Sequence, residues 1–194
     1  MATFYICRHG ETENNKRRRL SGWIDSPLTK EGLAETESAA AKLKNVDIDM
    51  IYSSDLGRAF ITAYIIARKL DFNGEITRLF GLRENSYGDI AYMPSIEAEA
   101  MYPKLHRDTN YIPPNGESLA QMQERVLETV TELDRVHADK TMLLVAHDGV
   151  IKAIRTSFSG QDLGEHNISA GYAHDFVASF TLDDGKVASF TELE

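Results

Sequence analysis

The stretch FYICRHGET, residues 4–12, joins an apolar run to a group of polar and charged residues. Residues 4–7 are continuously apolar, which is typical of a strand buried in a sheet. The run stops at Arg8, His9 and Gly10, which do not suit the same core. Because open α/β sheets bind ligands at the carboxyl ends of their strands, a cation, an imidazole and a glycine placed there indicate an anion-binding site.

Two further apolar runs also end in polar residues. Residues 50–53 predict a strand, and the following SDLGRA (residues 54–59) leads into an apolar helix with Arg58 in its first turn. Residues 141–146 predict a central parallel strand that ends at His147 and Asp148. We therefore expect Arg58 and His147 to lie at the same sheet edge as Arg8 and His9. The alternative for Arg58 is a surface ion pair with Asp55.

Motifs around these strand ends resemble those of the histidine phosphatase superfamily, which includes the cofactor-dependent phosphoglycerate mutases. They are RHGET (8–12), Asn15, SGW (21–23), SPLT (26–29) and SDLGRA (54–59). The resemblance implies a nucleophilic His9 and a phosphate pocket formed by Arg8, Arg58 and His147. The further residues that it implies for contact with phosphate or substrate are Asn15, Ser21, Gly22, Tyr87 and Asp148.

The residue types fit phosphoryl transfer. A transferred phosphoryl group carries negative charge on three oxygens, so catalysis needs fixed positive charge and an in-line nucleophile. Arginine bonds two phosphate oxygens at once, and Arg8 and Arg58 with His147 would supply that charge without a metal. A neutral His9 would attack phosphorus to form a phosphohistidine.

A leaving alkoxide also needs a proton, and Glu84 is the predicted general acid. A carboxyl group beside a bound phosphate stays protonated more readily than a free one, which suits this task. Glu84 lies where the family places its acid. Some branches take the acid from a residue after the second histidine, where this chain has Asp148.

Two departures from the mutase pattern bear on the reaction. Mutases typically follow the acid with Arg-His-Tyr-Gly, whereas Glu84 here is followed by NSYG, residues 85–88. Mutases also carry an adjacent arginine pair further on, but Arg107 is the only arginine between Gly88 and Gly116. A mutase must hold a bisphosphorylated intermediate, which favours extra cations. We therefore favour a phosphatase without a cofactor, and a mutase using 2,3-bisphosphoglycerate is the alternative.

Length and composition limit the class of protein. The chain has 194 residues, 42% apolar content, one cysteine and a formal net charge of −9. These values predict one α/β domain over residues 1–194, with a covering insertion at about 84–116. The charge argues against nucleic-acid partners, and no stretch predicts a signal peptide or a membrane span. We expect a cytoplasmic protein that acts on a small phosphorylated substrate, as a monomer or a homodimer.

The rest of the chain predicts alternating helices and strands in a three-layer α/β/α sandwich, with a mostly parallel sheet and an antiparallel edge. Residues 11–28 are predicted to be a long loop, and residues 157–172 to be irregular, with His166 and His174 as loop histidines. The predicted helices cover 29–44, the segment after Arg58, the long stretch from Ser118 and the segment after His147. In the first of these, Leu33, Ala40 and Leu43 lie near helical spacing as its apolar positions. A strand is predicted at 75–79, and a hairpin joins 176–182 to 186–193.

Several alternatives remain open from the sequence. A metal-dependent hydrolase would use His9, Glu11, His147 and Asp148 as ligands, although Arg8 would repel the metal. A non-catalytic phosphate-binding module would keep the pocket without turnover. Cys7 is either buried core or a redox sensor. The basic run of residues 16–19 is either a solvated face or a collector of anionic substrate.

Overall fold

The computed structural model describes residues 1–167 and 171–194 of the chain. Six strands in these residues form one sheet: β1 (Thr3–Arg8), β2 (Met50–Ser54), β3 (Ile76–Leu79), β4 (Thr141–Ala146), β5 (Val177–Asp183) and β6 (Lys186–Glu192). Their order across the sheet is β3-β2-β4-β1-β5-β6. The first four run parallel to one another, whereas β5 pairs antiparallel with both β1 and β6. This confirms the mostly parallel sheet and its antiparallel hairpin edge.

Helices cover both faces of this sheet, as the three-layer prediction requires. They are α1 (Glu13–Lys16), α2 (Lys30–Lys42), α3 (Gly57–Lys69), α4 (Ser95–Met101), α5 (Leu119–Val136), α6 (Asp148–Ser159) and α7 (Leu163–Asn167). Side chains alternate along β4, so Met142 and Leu144 pack with the buried faces of α5 and α6. Leu143 and Val145 pack instead with α2 and α3. Burial on both faces explains why β4 is apolar at every position after Thr141.

Cys7 lies in the core between β1 and helices α2 and α3, with no exposed surface. Burial raises the pKa of the Cys7 thiol to about 12. The thiol therefore stays protonated at neutral pH and is a poor nucleophile. The structure favours the core interpretation of Cys7 over the redox sensor.

Helix boundaries follow from capping residues. Thr29 caps α2, because its Oγ1 accepts a hydrogen bond from the Gly32 amide at 3.0 Å. Ser118 and Gln121 form a reciprocal capping box at the start of α5, which is the predicted long helix. No helix in residues 1–167 and 171–194 is long and apolar enough to cross a membrane.

Three local predictions are wrong. Residues 11–28 are not a continuous loop, because Thr12 and Asn15 form a capping box that starts the short helix α1. His166 lies in helix α7 and not in a loop. Leu33, at an apolar helical position of α2, is 44% exposed, because α2 turns its alanines and not this leucine toward the sheet. Residues 168–170 of the irregular stretch predicted at 157–172 lie outside the described residues.

The segment 84–116 is partly helical, as predicted, with a 3₁₀ turn at Gly88–Ile90 followed by α4. Its small core consists of Ile90, Ala98 and Leu105, and Leu20 from the loop after α1 packs among them. The same loop is joined to the segment by an isolated bridge between Arg19 and Pro94. The loop after α1 and the segment 84–116 therefore form one packed unit.

Candidate active site

The carboxyl ends of β1, β2 and β4 bring four predicted site residues together. Parallel pairing sets Arg8 opposite Ala146, so His9 and His147 follow side by side. The His9 amide donates to the Ala146 carbonyl at 3.0 Å, and the ring centroids of His9 and His147 are 5.1 Å apart. Arg58, in the first turn of α3, reaches the His9 ring. The predicted convergence at one sheet edge is therefore present.

The His9 ring is held in one tautomer by a partner on each nitrogen. Nδ1 lies 2.8 Å from the Gly10 carbonyl oxygen, which can only accept, so Nδ1 carries the proton. Nε2 accepts from Arg58 Nε at 3.2 Å, because the guanidinium can only donate. Burial and the charges of Arg58 and Arg8 hold the pKa of His9 well below its usual 6.5. His9 is thus neutral at pH 7, with its lone pair on Nε2.

Arg58 is almost completely buried and tied to the loop after α1. Its Nη2 donates to the Gly22 carbonyl at 2.8 Å and its Nη1 to the Ile24 carbonyl at 3.1 Å. Asp25 accepts from the amides of Gly57 and Arg58, so it caps α3 from outside the helix. This carboxylate offsets the unfavourable position of Arg58 at a helix N-terminus.

The alternative pairing of Arg58 with Asp55 is wrong, because Asp55 makes a bidentate pair with Arg83 at 2.7 Å for both bonds. The sequence did not indicate the role of Asp25. Leu56, which precedes α3, has no side chain that can cap the helix, and this was a sign that a distant residue would have to do so.

Several buried polar atoms at this edge have no hydrogen-bond partner among the described residues. They are Arg8 Nε, Ser21 Oγ and both ring nitrogens of His147. Buried polar groups are normally paired, so these atoms suit a ligand with several oxygen acceptors. Burial, together with the nearby charge of Arg58, keeps the pKa of His147 well below 6.5. The cations and donors here fit a phosphate group.

Asp148 anchors Arg8 and does not resemble a free proton donor. Its Oδ1 accepts from the Tyr172 amide at 2.7 Å and lies 3.9 Å from Arg8 Nη1. Its Oδ2 lies 2.9 Å from the buried Lys152 Nζ. Arg8 Nη1 also donates to the Tyr172 carbonyl. Two cations and an amide therefore hold the Asp148 carboxylate in a fixed position beside Arg8. The sequence did not indicate Lys152 and Tyr172, which belong to no motif.

Glu84 occupies a different environment from Asp148. Its Oε1 accepts from the Asn85 amide at 2.9 Å, and its Oε2 accepts from the Gly149 amide at 3.3 Å. Burial raises the pKa of Glu84 above its usual 4.5, and these backbone bonds oppose only part of that rise. The surroundings of Glu84 therefore favour its protonated form, which a general acid requires.

Arg125 of α5 fixes the backbone that carries Glu84. Its guanidinium donates to the carbonyls of Gly81 at 3.0 Å, Arg83 at 3.1 Å and Glu84 at 3.4 Å. It also pairs with both oxygens of Glu117, at 2.6 and 3.3 Å. The sequence did not distinguish Arg125, because α5 is an amphipathic helix with many charged residues.

His174 is another residue for which the sequence did not indicate a role at the site. Its Nδ1 donates to the His9 carbonyl at 2.8 Å, and its ring centroid is 5.6 Å from that of His9. Burial, with the charge of Arg8, lowers the pKa of His174 to about 4. His174 is a loop histidine, as predicted, but its contact with His9 was not expected from the sequence.

The remaining predicted residues lie around this centre in different roles. Asn15 uses its Oδ1 to accept from the Thr12 amide and hydroxyl, at 3.1 and 2.8 Å. Gly22 has a φ of +49°, and a Cβ there would lie 3.0 Å from the Tyr87 ring. Gly22 thus allows the close approach of Tyr87 and of Arg58.

Two cavities open beside the strand ends. One of about 740 Å³ is lined by residues including Tyr87, His106, Asp148 and Lys152. The other, of about 720 Å³, includes Arg8, Asn15, His174 and the arginines of the loop after α1 in its lining. Ser95, Ile96, Glu99 and Gly171 line both, so the two cavities adjoin.

The alternative metal site does not form among the described residues. No group of three or more His, Cys, Asp or Glu side chains in residues 1–167 and 171–194 could hold a metal ion. Glu11, one of the alternative ligands, instead accepts from the Thr29 hydroxyl at 2.8 Å.

Comparison with known proteins agrees with this geometry. The profile of the histidine phosphatase superfamily (branch 1) matches residues 4–190. "Uncharacterized phosphatase PhoE" of Bacillus subtilis is 32% identical over 162 residues, covering 84% of this chain and 80% of that protein. A 2,3-bisphosphoglycerate-dependent phosphoglycerate mutase of Bartonella tribocorum is 30% identical and covers 97% of each chain.

A solved structure shares the whole fold. "Bacillus stearothermophilus YhfR" superposes with a TM-score of 0.88 at 31% identity, covering 100% of this chain and 96% of that one. The sequence match, the fold and the relatives agree, and the chain belongs to branch 1 of the histidine phosphatase superfamily, a family of enzymes.

Proposed function

We propose that this protein is a metal-independent phosphomonoester hydrolase that acts through a phosphohistidine at His9. The observation that carries the proposal is the fixed tautomer of His9, whose Nε2 lone pair lies 3.2 Å from Arg58 Nε. A phosphoryl group at this point would meet the guanidinium groups of Arg8 and Arg58 and the ring of His147. Its charge is then neutralised by protein cations.

The reaction proceeds in two steps. His9 Nε2 attacks phosphorus, the bond from phosphorus to the ester oxygen breaks, and the leaving alkoxide takes the proton of Glu84. The resulting imidazolium keeps its Nδ1 proton hydrogen-bonded to the Gly10 carbonyl. In the second step the Glu84 carboxylate takes a proton from a water molecule, which attacks phosphorus and releases phosphate. His9 and Glu84 are thereby restored.

A phosphoglycerate mutase is the second candidate, because the Bartonella relative bearing that name spans nearly the whole chain. In a mutase the phosphohistidine passes its phosphoryl group to a hydroxyl group of the bound phosphoglycerate instead of to water. The phosphatase is favoured, because NSYG replaces Arg-His-Tyr-Gly after Glu84 and the adjacent arginine pair is missing.

One assay separates these reactions. Chelator-treated enzyme is given 3-phosphoglycerate primed with 2,3-bisphosphoglycerate, and both isomerisation and free phosphate are followed. The phosphatase releases phosphate without isomerisation, whereas a mutase isomerises with little release. The His9→Ala variant should lose both activities, and full activity in that variant would exclude the phosphohistidine.

A further inference from the structure

The basic loop Arg17-Arg18-Arg19 is not used by the mechanism above. It is held in a defined position against the start of α4. The Arg18 carbonyl accepts from both the amide and the hydroxyl of Ser95, each at 2.8 Å. Arg18 itself has a φ of +52°, a backbone conformation that a side chain other than glycine rarely adopts. These bonds and this conformation fix where the arginines leave the backbone.

All three arginines face the 720 Å³ cavity that also reaches Arg8 of the phosphate pocket. Among its described lining residues, four arginines stand against one carboxylate, Glu99. This cluster of positive charge occurs in a chain whose formal net charge is −9. Such a local field attracts anions that the rest of the surface repels.

The three arginines differ in how far they are already engaged. Arg19 donates to the Tyr92 carbonyl at 2.9 Å and stacks over the Tyr92 ring, 4.4 Å from its centroid. Arg17 has one exposed partner, Glu13, at 3.4 Å. Arg18 makes no ion pair within residues 1–167 and 171–194. Arg17 and Arg18 are therefore the groups free to bind a ligand, since an exposed pair such as that with Glu13 is weak.

The adjoining 740 Å³ cavity does not have this excess of positive charge. Its buried cation, Lys152, is neutralised by Asp148 at 2.9 Å and also donates to the Asn167 carbonyl at 3.2 Å. Glu99 lies in its wall and Arg107 is exposed. This cavity suits the uncharged body of a substrate.

From these contacts we infer that Arg17 and Arg18 form a subsite for a second anionic group of the substrate. The preferred substrates are then phosphomonoesters that also carry a carboxylate or a second phosphate. This inference rests on the proposed function, because the reacting phosphate must lie at Arg8 and His9 while the second group lies toward Arg17 and Arg18. A guanidinium can bind either kind of group through two parallel hydrogen bonds.

The test compares substrates that differ by one anionic group. One pair is sn-glycerol 1-phosphate and D-3-phosphoglycerate, which share their configuration at C2 and differ by a carboxylate in place of a hydroxymethyl group. The other is fructose 6-phosphate and fructose 1,6-bisphosphate, which differ by a phosphate. The Arg17→Gln/Arg18→Gln double variant should lower the preference for the second member of a pair, measured as a ratio of kcat/KM, by about tenfold. Most of the change should be in KM, and added salt should erase the same preference.

The matched control is Lys44→Gln/Arg68→Gln, which removes two exposed charges away from the cavity, one just after α2 and one on α3. This control should keep both ratios. If the arginine variant loses its preference in the carboxylate pair alone, or in the phosphate pair alone, that result supports the subsite and identifies which anionic group it binds. If both ratios of kcat/KM are unchanged in the arginine variant, or fall equally in the control variant, the proposed subsite is wrong. Absence of phosphate release from p-nitrophenyl phosphate by the unmodified enzyme would instead reject the proposed function, and the subsite would then be judged by calorimetric binding of the same pairs.

Discussion

The two carboxyl groups nearest the strand ends differ because their neighbours differ. Asp148 faces the cations Arg8 and Lys152, whereas Glu84 is buried with only backbone amides on its oxygens. Burial raises the pKa of Glu84, and its backbone hydrogen bonds and the charge of Arg58 oppose only part of that rise. Of the two residues that the sequence left open, Glu84 is therefore the proposed proton donor.

The Glu84→Gln variant should distinguish substrates by their leaving groups. An alkyl phosphate needs a proton on its departing oxygen, and its kcat should fall about 10²-fold or more. p-Nitrophenyl phosphate leaves as a stable anion and should lose far less. Steady-state rates on the two substrates measure the difference. Equal losses on both would show that Glu84 acts in some way other than as the acid.

The pH profile should reflect the opposite shifts of His9 and Glu84. The lowered pKa of His9 keeps its Nε2 unprotonated as the pH falls through 6.5, so activity should persist there. The raised pKa of Glu84 keeps the acid protonated above pH 4.5, and activity should fall as the pH rises through that raised value. We expect an acidic optimum in kcat/KM for alkyl phosphates. The alkaline fall should disappear in Glu84→Gln, and a loss of activity centred near pH 6.5 as the pH is lowered would contradict the His9 assignment.

At the scale of elements, α5 serves the site through Arg125 alone among the residues described here. The helix carries two bidentate pairs, the half-buried Arg125–Glu117 and the exposed Arg135–Glu132. Only the first reaches the backbone of residues 81–84. Helix α5 thus connects the core of the sheet to the position of the proposed acid.

The Arg125→Met variant should reduce kcat on alkyl phosphates by about tenfold, because small displacements of an acid are costly. KM should change less, and the alkaline limb of the pH profile should move as Glu84 becomes more hydrated. Arg125→Lys should not restore the rate, since an ammonium group cannot bond three carbonyls and a carboxylate in one plane. Arg135→Met is the control on the same helix, and a matching loss there would indicate a general effect on stability.

The elements also show what the sequence could predict. The placements of Arg8, Arg58 and His147 were predictable because each follows directly from one strand or helix boundary. Asp25 and His174 were not, because each acts through contacts with residues more than 30 positions away. A pattern within a window of sequence records which residues are apolar, and it does not record which distant loop a side chain will meet. The capping box of α1 was not predicted, because its third residue is Asn15 and not the Glu or Gln of the usual pattern.

At the scale of the whole molecule, the sheet gathers positive charge at one edge of an acidic chain. Arg8, Arg58 and the basic loop lie at the carboxyl ends of the parallel strands, while the formal net charge is −9. Within the described residues, the buried Nε of Arg8 has no hydrogen-bond partner, which lowers the stability of the folded chain. An anion that binds only the folded protein should recover that stability.

Inorganic phosphate should therefore raise the melting temperature. At about 100 times its Kd, phosphate would stabilise the fold by about 2.7 kcal/mol, which for a chain of this length corresponds to about 5–10 °C. Sodium chloride at equal ionic strength is the control, because screening of a net negative charge also stabilises the fold. The Arg58→Met variant should lose most of the phosphate-specific increase in melting temperature, whatever its melting temperature without phosphate. If chloride gave the same increase, the gain would come from screening and not from a phosphate held at His9.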